Sequence, residues 1–299
     1  MPKWDVAQTK LLLGIDGGGS KCRAVIATQD LEILGQAVSG PANPFQGLAQ
    51  AIESILTATK LALAEAHLDP QAVRELVAGV GLAGVNLPSV YRKMEQWPHP
   101  FAQMALTTDL EIASLGAHGG SDGGVIVAGT GSSGWARVQG KTTIIGAHGF
   151  PFGDVGGGAW LGLQALQAVL LADDNLGPST LLGDLIPREL GVPIPGIPEK
   201  MTGAGPASLA SLAPHVFQAA EADDAVAVDI VQRGADYLAL VARNLRNSGA
   251  PATSMVGGLS ELYRPWLPAE LLDQLSPALA SPSIGALHYA RNQASTLPG

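Results

Sequence analysis

The chain has 299 residues, of which 46% are apolar and 14% charged, a composition typical of a folded protein that excludes a disordered one. Its formal net charge of −9 leaves no basic stripe, so we expect neither a nucleic-acid nor a membrane partner. Cys22 is the one cysteine, which excludes a disulfide framework and a thiolate metal site. The apolar run Leu11–Ile15 is shorter than a signal-peptide core of about 7 to 15 residues, so we expect a cytoplasmic location.

Turn residues divide the first part of the chain into short apolar segments. The first three segments are joined by tight turns, which predicts an antiparallel meander. The predicted elements, in chain order, are the strands Lys10–Ile15, Arg23–Thr28 and Glu32–Val38, the helix Leu48–Leu68, the strands Leu76–Gly81 and Ala105–Thr108, and a helix that begins at Asp109.

The same order of elements then begins again. The predicted elements of the second part are the strands Gly124–Ala128, Gly134–Val138 and Thr142–Gly146, the helices Ala159–Ala172 and Asp224–Arg246 with a loop over Gly191–Pro198 between them, and a last strand Ser254–Gly257 followed by a helix. The segments LLLGIDGGGS (11–20) and VIVAGTGSSG (125–134) align over their full length.

This duplication predicts an α/β protein of two similar lobes, 1–117 and 118–299, with the last helix able to pack back on the first lobe. We expect one glycine turn of each lobe to point into a cleft between them, since clefts between lobes commonly bind ligands. The alternative is a chance similarity between two glycine hairpins.

Two nucleotide-binding motifs occur in the sequence but lack the required context. Gly129–Gly134 satisfies G-x-G-x-x-G, but a strand rather than a helix is predicted next, and no acidic residue lies about 20 positions on. Gly140-Lys141-Thr142 resembles the end of a Walker A loop, but Trp135 stands where the first glycine is needed. We therefore reject a dinucleotide fold and a P-loop.

Three aspartates stand at strand ends or before helices, and each has two interpretations. Asp16 either holds Mg²⁺ beside phosphates bound by the following N–H groups or stabilises its own turn. Asp109 is either a general base for an attacking hydroxyl or a helix N-cap. Asp154 either binds ligand hydroxyls or caps a helix, and Lys21 either reaches a phosphate or is a solvated strand residue.

Several segments together resemble one family, the N-acetylglucosamine and glucosamine kinases of the BadF/BadG/BcrA/BcrD ATPase family. These segments are GIDGGGSKCRAVI (14–26), GPANPF (40–45), TTDLEIA (107–113), VIVAGTGSSG (125–134), GFPFGDVGGGAWLG (149–162), SMVGGLS (254–260) and SPSIGAL (281–287). Their order and spacing are specific, whereas any one alone is not. The resemblance implies two ribonuclease-H-like lobes of the sugar kinase, actin and heat-shock-chaperone fold.

The resemblance also implies roles for individual residues. The residues expected to bind the ATP phosphates or the adenosine are Asp16, Gly17, Gly18, Gly19, Ser20, Lys21, Gly129, Thr130, Gly131, Ser132, Gly257 and Gly258. Asp16 would organise Mg²⁺, Asp109 would be the catalytic base, and Asn43 and Asp154 would bind the sugar hydroxyls. The expected product is a 6-phosphorylated amino sugar, and a homodimer is compatible with the family.

Two departures from the family pattern concern the sugar pocket. Val155 replaces a polar or acidic residue, and Ser133-Gly134 stands where animal-type enzymes have an Asn. Glucosamine therefore stays open as the substrate beside N-acetylglucosamine. The other classes considered are a sugar-independent ATPase, disfavoured because related activators hold an iron–sulfur cluster through several cysteines, and a sugar-binding regulator without catalysis.

Overall fold

The structure is a computed structural model that describes residues 11–294. Its β-strands are β1 Leu12–Gly17, β2 Cys22–Ala27, β3 Ile33–Ser39, β4 Val77–Leu82, β5 Gln103–Thr108, β6 Gly123–Ala128, β7 Ser132–Val138, β8 Lys141–Gly146 and β9 Thr253–Val256. Its α-helices are α1 Leu48–Glu65, α2 Pro88–Glu95, α3 Asp109–Ala117, α4 Gly158–Asp173, α5 Leu182–Leu190, α6 Ile197–Met201, α7 Pro206–Ala210, α8 Ala213–Glu221, α9 Ala225–Asn247, α10 Ser260–Tyr263, α11 Ala269–Leu272 and α12 Pro282–Ala294. Short 3-10 helices occupy Pro70–Glu75, Ile194–Gly196 and Arg264–Trp266.

The described chain forms two compact units. The first unit comprises residues 11–123 and 277–294, and the second comprises 124–276. Within residues 11–294, none of the helices combines the length and the apolar character needed to cross a membrane.

The first unit is built on a mixed sheet with the strand order β3-β2-β1-β4-β5. The first three strands form the predicted antiparallel meander, and β1, β4 and β5 run parallel. A buried apolar cluster from this sheet packs against α1. The three parallel strands therefore bring their carboxyl ends to one edge of the sheet, where open α/β sheets commonly bind ligands.

Helix α12 covers the other face of this sheet, although it comes from the far end of the chain. Glycines inside β1 and β4 allow this close approach. A methyl group at Gly14 would overlap the carbonyl oxygen of Ser283, and one at Gly79 would overlap that of Ala286. Backbone contact of this kind requires glycine, so these residues set the distance between the helix and the sheet.

The second unit has a four-stranded sheet in the order β8-β7-β6-β9, with β9 parallel to β6 and β8 antiparallel to β7. Its main apolar core lies among this sheet and the helices α4, α5, α8 and α9. Asp224 is the N-cap residue directly before α9, and its Oδ1 accepts the Ala227 N–H at 2.9 Å.

These observations confirm the predicted fold class, an α/β protein with two mixed sheets and helices. The two sheets repeat one pattern, in which a hairpin strand lies on one side of the first strand and a later parallel strand on the other. The predicted elements are present with bounds displaced by a few residues, although Lys10 lies outside the described residues.

Two parts of the secondary-structure prediction fail. The loop predicted over Gly191–Pro198 is wrong because it contains a 3-10 helix and the start of α6 at Ile197. Proline is tolerated in the first turn of a helix, where its missing N–H has no partner to lose. Short helices such as α2, α5 and α8 are also missing from the prediction, because each is too short to show a clear helical periodicity of apolar residues.

Candidate active site

Two of the predicted site aspartates lie at the carboxyl edge of the first sheet. In the strand register Asp16 pairs with Gly81 of β4, and Gly81 pairs with Thr107 of β5. Asp109 follows Thr107 by two residues and begins α3. With neighbouring strands about 4.8 Å apart, Asp16 and Thr107 lie roughly 10 Å apart across the sheet. The structure thus brings Asp16 and Asp109 to one edge of one sheet.

The Asp16 carboxyl group lies in an environment that disfavours its charged form. Burial raises its pKa above the ordinary value of 3.8, and the cations of Arg23 and Lys21 oppose this shift only in part. Burial is the main cause that raises the pKa of the Cys22 thiol to about 12, and the charge of the Asp16 carboxylate is the second cause. A metal ion or another cation near Asp16 would therefore relieve an unfavourable buried charge.

The first glycine turn, Gly17–Ser20, is closed by its own backbone. The Gly18 N–H donates to the Lys21 carbonyl at 2.9 Å, and the Gly18 carbonyl accepts the Ala42 N–H at 2.9 Å. Around Gly19 the nearest group is the Gln46 amide, 3.5 Å from a methyl position. Ser20 and Lys21 are exposed. The turn therefore presents accessible backbone beside Asp16, as a phosphate-binding turn requires.

Asn43 lies in the loop that contacts this first turn. Its side-chain oxygen accepts the Phe45 N–H at 3.0 Å. A methyl group at Gly84, whose φ is +82°, would overlap that same oxygen. Asn43 is therefore held between its own loop and the loop after β4, at the same edge of the sheet as Asp16.

Asp109 is the first residue of α3, and the N-cap of this helix is its neighbour. The Thr108 hydroxyl accepts the Glu111 N–H at 3.2 Å. Thr108 thus makes the capping hydrogen bond that the N-cap interpretation assigns to Asp109. Asp109 Oδ1 accepts the N–H of Leu110 at 3.0 Å. The capping interpretation of Asp109 is therefore wrong, because Thr108 fulfils that role. The half-buried Asp109 carboxylate stands at the positive end of the helix.

The second glycine turn, Gly129–Ser132, is enclosed by two other segments of its unit. The Gly129 carbonyl accepts the Gly158 N–H at 2.8 Å, and the Thr130 carbonyl accepts the Ala159 N–H at 2.9 Å. Just before the turn, the Ala128 carbonyl accepts the Leu259 N–H at 3.0 Å. The structure therefore brings this turn together with the start of α4 and with the segment after β9.

Asp154 lies directly against this turn. A methyl group at Gly131 would overlap its Oδ2 atom, so the carboxylate occupies the space beside that glycine. Burial raises the pKa of Asp154, whereas the N–H donated by Gly149 and the nearby His148 lower it. Asp154 lies in the loop before α4, and its φ of +63° is in the left-handed region, outside helical geometry. Gly157, rather than Asp154, is the N-cap residue of α4, so the capping interpretation is also wrong here.

Gly257 and Gly258 follow β9 and are exposed. Gly257 has a φ of +110° and lies so close to Ala128 that a methyl group would overlap the Ala128 carbonyl. Gly258 has open space around it. This segment therefore offers bare backbone next to the second glycine turn, as expected for a surface that lies against a flat ligand.

Sequence reasoning missed several residues at these two sites. Gln46 faces Gly19, the Thr107 hydroxyl donates to Glu111 beside Asp109, and Tyr263 donates to the loop after Asp154. Thr107 and Glu111 belong to the segment TTDLEIA (107–113), whereas Gln46 and Tyr263 lie outside all of the segments that resemble the family. No signal in the sequence points to Tyr263.

Mg²⁺ in proteins usually binds one or two carboxylates, several waters and substrate phosphates. Among residues 11–294 no three His, Cys, Asp or Glu side chains form a cluster that could hold a metal ion. A protein cage for a metal is therefore not found in this part of the chain. A single carboxylate such as Asp16, beside a glycine turn with accessible backbone, fits Mg²⁺ that arrives with a nucleotide.

An α/β protein with glycine turns and aspartates at strand ends has a site suited to phosphate chemistry, and the comparisons with known proteins agree. Residues 13–274 match the BadF/BadG/BcrA/BcrD ATPase family, so the chain belongs to that family. This confirms the family resemblance of the sequence.

Individual relatives are named as sugar kinases. The chain is 33% identical to glucosamine kinase GspK of Vibrio cholerae, over 93% of this chain and 95% of that protein. It is 30% identical to an N-acetylmuramic acid/N-acetylglucosamine kinase of Clostridium acetobutylicum, over 59% of each chain. A crystal structure provisionally named an N-acetylglucosamine kinase, from Chromobacterium violaceum, superimposes with a TM-score of 0.89 at 30% identity, over 94% of this chain and 99% of that one.

Proposed function

We propose that the protein phosphorylates the 6-hydroxyl of an amino sugar with ATP. The observation that carries the proposal is the carboxyl edge of the first sheet, where Asp16 and Asp109 flank β4. Membership of an ATPase family and the sugar-kinase names of the relatives support it. N-acetylglucosamine is the proposed substrate, and glucosamine is the second candidate because the relative that covers 93% of the chain is named for it.

Asp109 is proposed as the general base. Its carboxylate would accept the proton of the sugar hydroxyl as the oxygen forms a bond to the γ-phosphorus, while the bond between that phosphorus and the β,γ-bridging oxygen breaks and ADP leaves. Phosphoryl transfer asks mainly for positioning and charge stabilisation. The Thr108 cap and the Leu110 N–H, which is 3.0 Å from Asp109 Oδ1, hold this carboxylate at the start of α3.

The two glycine turns are proposed to bind phosphate through their backbone N–H groups. In the first unit these groups belong to the turn Gly17–Ser20, except the Gly18 N–H, which donates to the Lys21 carbonyl, and in the second unit to the turn Gly129–Ser132, except the Gly129 N–H, which donates to the Gly131 carbonyl at 2.9 Å. The exposed Lys21 lies beside the first turn. Gly257 and Gly258 are proposed to lie against the adenosine, because the open space at Gly258 leaves its backbone accessible.

Asp16 is proposed to hold Mg²⁺. Its raised pKa supports this role, since a buried carboxylate gains from a cation. Mg²⁺ would neutralise the charge that develops on the phosphates. The Asn43 amide is proposed to donate hydrogen bonds to the sugar hydroxyls or accept them from these groups, and the Asp154 carboxylate is proposed to accept hydrogen bonds from them.

The test is an assay of ADP release with N-acetylglucosamine, glucosamine, glucose, N-acetylmannosamine and no sugar. We expect release that requires both an amino sugar and Mg²⁺, and a loss of roughly 100-fold or more in kcat for Asp109→Asn. Asp30→Asn, in an exposed turn between β2 and β3, is the matched control. Asp109→Asn activity within tenfold of the parent would remove the base assignment.

The pattern across sugars separates the remaining classes. Equal ADP release with and without sugar would replace the kinase with a sugar-independent ATPase. Sugar binding in calorimetry without any turnover would indicate a regulator. The requirement for ATP supports a cytoplasmic location, and light scattering at micromolar concentration tests the homodimer that the family resemblance allows.

A further inference from the structure

Tyr263 makes a hydrogen bond that joins two distant parts of the second unit. Its side chain is fully buried, and its ring meets Phe217 edge-on with centroids 5.0 Å apart. Its hydroxyl donates to the carbonyl oxygen of Gly156 at 2.8 Å, across 107 residues of sequence. Burial raises the pKa of Tyr263, so the hydroxyl stays protonated and acts as a donor at any physiological pH.

The acceptor, Gly156, belongs to the loop that contains Asp154. Gly156 has a φ of +82° and packs on Gly234 of α9, where a methyl group would lie 3.0 Å from the Gly234 carbonyl. A methyl group at Gly234 would in turn overlap the Tyr263 hydroxyl. Two glycines therefore make the space in which this one hydroxyl reaches the loop.

Three successive carbonyls of this loop accept hydrogen bonds from fixed donors. The Asp154 carbonyl accepts the Gly157 N–H at 2.9 Å. The Val155 carbonyl accepts the Ser132 hydroxyl at 2.6 Å, and the Gly156 carbonyl accepts Tyr263. The backbone that carries the Asp154 carboxylate is thus tied to the second glycine turn on one side and to Tyr263 on the other.

Tyr263 is also tied to the segment proposed to lie against the adenosine. It ends α10, and its N–H donates to the Leu259 carbonyl at 3.0 Å. Leu259 itself follows Gly257-Gly258, and its N–H donates to Ala128 at 3.0 Å. The Ser260 hydroxyl closes the same turn on the Gly257 carbonyl at 2.8 Å. One turn of helix therefore connects Gly257-Gly258 to Tyr263.

We propose that Tyr263 is a positioning residue that couples the Gly257-Gly258 segment to the Asp154 loop, so that a bound nucleotide favours the placement of Asp154 for the sugar. The inference rests on the proposed function, because it takes the nucleotide and sugar roles of these two segments from there. Tyr263 touches neither substrate in this scheme. It acts through the Gly156 backbone alone.

Tyr263→Phe is the direct test, since it keeps the ring against Phe217 and removes only the hydroxyl. We expect the KM for the amino sugar to rise at least fivefold, with a smaller change in kcat. A non-hydrolysable ATP analogue should tighten sugar binding in the parent protein. The coupling factor is the ratio of the sugar dissociation constants without and with the analogue, and it should fall towards one in the variant. An unchanged coupling factor and sugar KM in Tyr263→Phe would overturn the proposal.

The control is Thr59→Val on α1 of the first unit. The buried Thr59 hydroxyl donates to the Ile55 carbonyl at 2.8 Å, so its removal also deletes one buried hydrogen bond to a backbone oxygen. We expect this variant to lower the melting temperature without changing the sugar KM or the coupling factor. A rise in sugar KM in both variants would indicate a general loss of stability and contradict a specific role of Tyr263.

A second measurement needs no variant. In hydrogen exchange on the parent protein, the ATP analogue alone should slow exchange of the amides of residues 155–158. Unchanged exchange there would count against coupling even if Tyr263→Phe failed to fold. If the parent showed no sugar-dependent ADP release, the proposed function would fail. If it did and Tyr263→Phe behaved like the parent, only the role of Tyr263 would fail.

Discussion

The Thr107 hydroxyl donates a hydrogen bond to the carboxylate of Glu111, across the junction between β5 and α3 at which Asp109 stands. The Glu111 N–H donates to Thr108 at 3.2 Å in the same turn. Burial is the main cause that raises the pKa of the Tyr91 and Tyr289 phenols, and the charge of the nearby Glu111 carboxylate raises both pKa values further. The turn that carries the proposed base Asp109 is therefore closed by two hydrogen bonds, from Thr107 to the Glu111 carboxylate and from the Glu111 N–H to Thr108.

The first prediction concerns the first of these hydrogen bonds. Thr107→Val keeps the shape of the side chain but removes the donor, so we expect the start of α3 to lose its fixed position and kcat to fall about tenfold, equivalent to ~1.4 kcal/mol of barrier. The KM for ATP should change little. Thr107→Ser restores the hydroxyl and should recover most of the rate in steady-state kinetics. Equal rates for the Val and Ser variants would show that the hydroxyl has no part in placing Asp109.

The second prediction follows from the raised pKa of Asp16. A carboxyl group with a higher pKa in the folded than in the unfolded state binds more protons when folded. Its charge therefore lowers stability above the folded pKa, and this cost disappears as the pH falls below the ordinary value of 3.8. Asp16→Asn should abolish the kinase activity and yet raise the melting temperature at pH 7.

The measurement is a series of thermal melts without nucleotide from pH 4 to pH 8. The gain of Asp16→Asn over the parent should be largest at neutral pH and shrink towards pH 4. Asp30→Asn, at an exposed position, should show no such trend. A gain that grows as the pH falls would reverse the assigned sign and contradict the burial of an unfavourable charge at Asp16.

Much of the candidate site follows from local patterns in the sequence. Asp16 precedes three glycines at the end of an apolar strand, so the turn and its carboxylate were both predictable, as was the second turn by its similarity. The two capping interpretations failed because a cap is defined by backbone geometry. Thr108 and Gly157 have the required geometry, whereas Asp109 and Asp154 do not.

Contacts between distant residues account for most of what the sequence did not predict. The bond from Tyr263 to Gly156 spans 107 residues, and no periodicity or motif relates the two. The approach of α12 to β1 and β4 is an intermediate case. A glycine inside a strand, such as Gly14 or Gly79, indicates that another backbone comes close, but it does not name the partner.

The third prediction tests that close approach. In Gly79→Ala the added methyl group would overlap the Ala286 carbonyl and lie 2.9 Å from the Ala290 N atom, so α12 must move away from the sheet. We expect a loss of about 1–3 kcal/mol in the free energy of unfolding, measured by urea denaturation. Gly183→Ala in α5 is the control, since it has open space and should stabilise by up to ~1 kcal/mol. Equal effects of the two changes would contradict the packing of α12 on β4.

The last prediction uses two glycines of the same turn that differ in their surroundings. A methyl group at Gly131 would overlap the Asp154 carboxylate, whereas one at Gly129 has no neighbour within 4 Å. Neither residue has a positive φ, so alanine is compatible with both backbones. Because the Asp154 side chain can rotate away, Gly131→Ala should fold normally but displace the carboxylate from its place beside the turn.

We therefore expect Gly131→Ala to raise the KM for the amino sugar at least tenfold, while Gly129→Ala acts mainly on the KM for ATP through the phosphate contacts of the turn. Initial-rate kinetics with each substrate varied in turn separate the two effects, and melting temperatures within a few degrees of the parent verify folding. If Gly131→Ala changed only the KM for ATP, then Asp154 would not be a sugar-binding residue. The carboxylate would instead serve to support the glycine turn, and the sugar contacts would have to be sought on the first unit, beginning with Asn43.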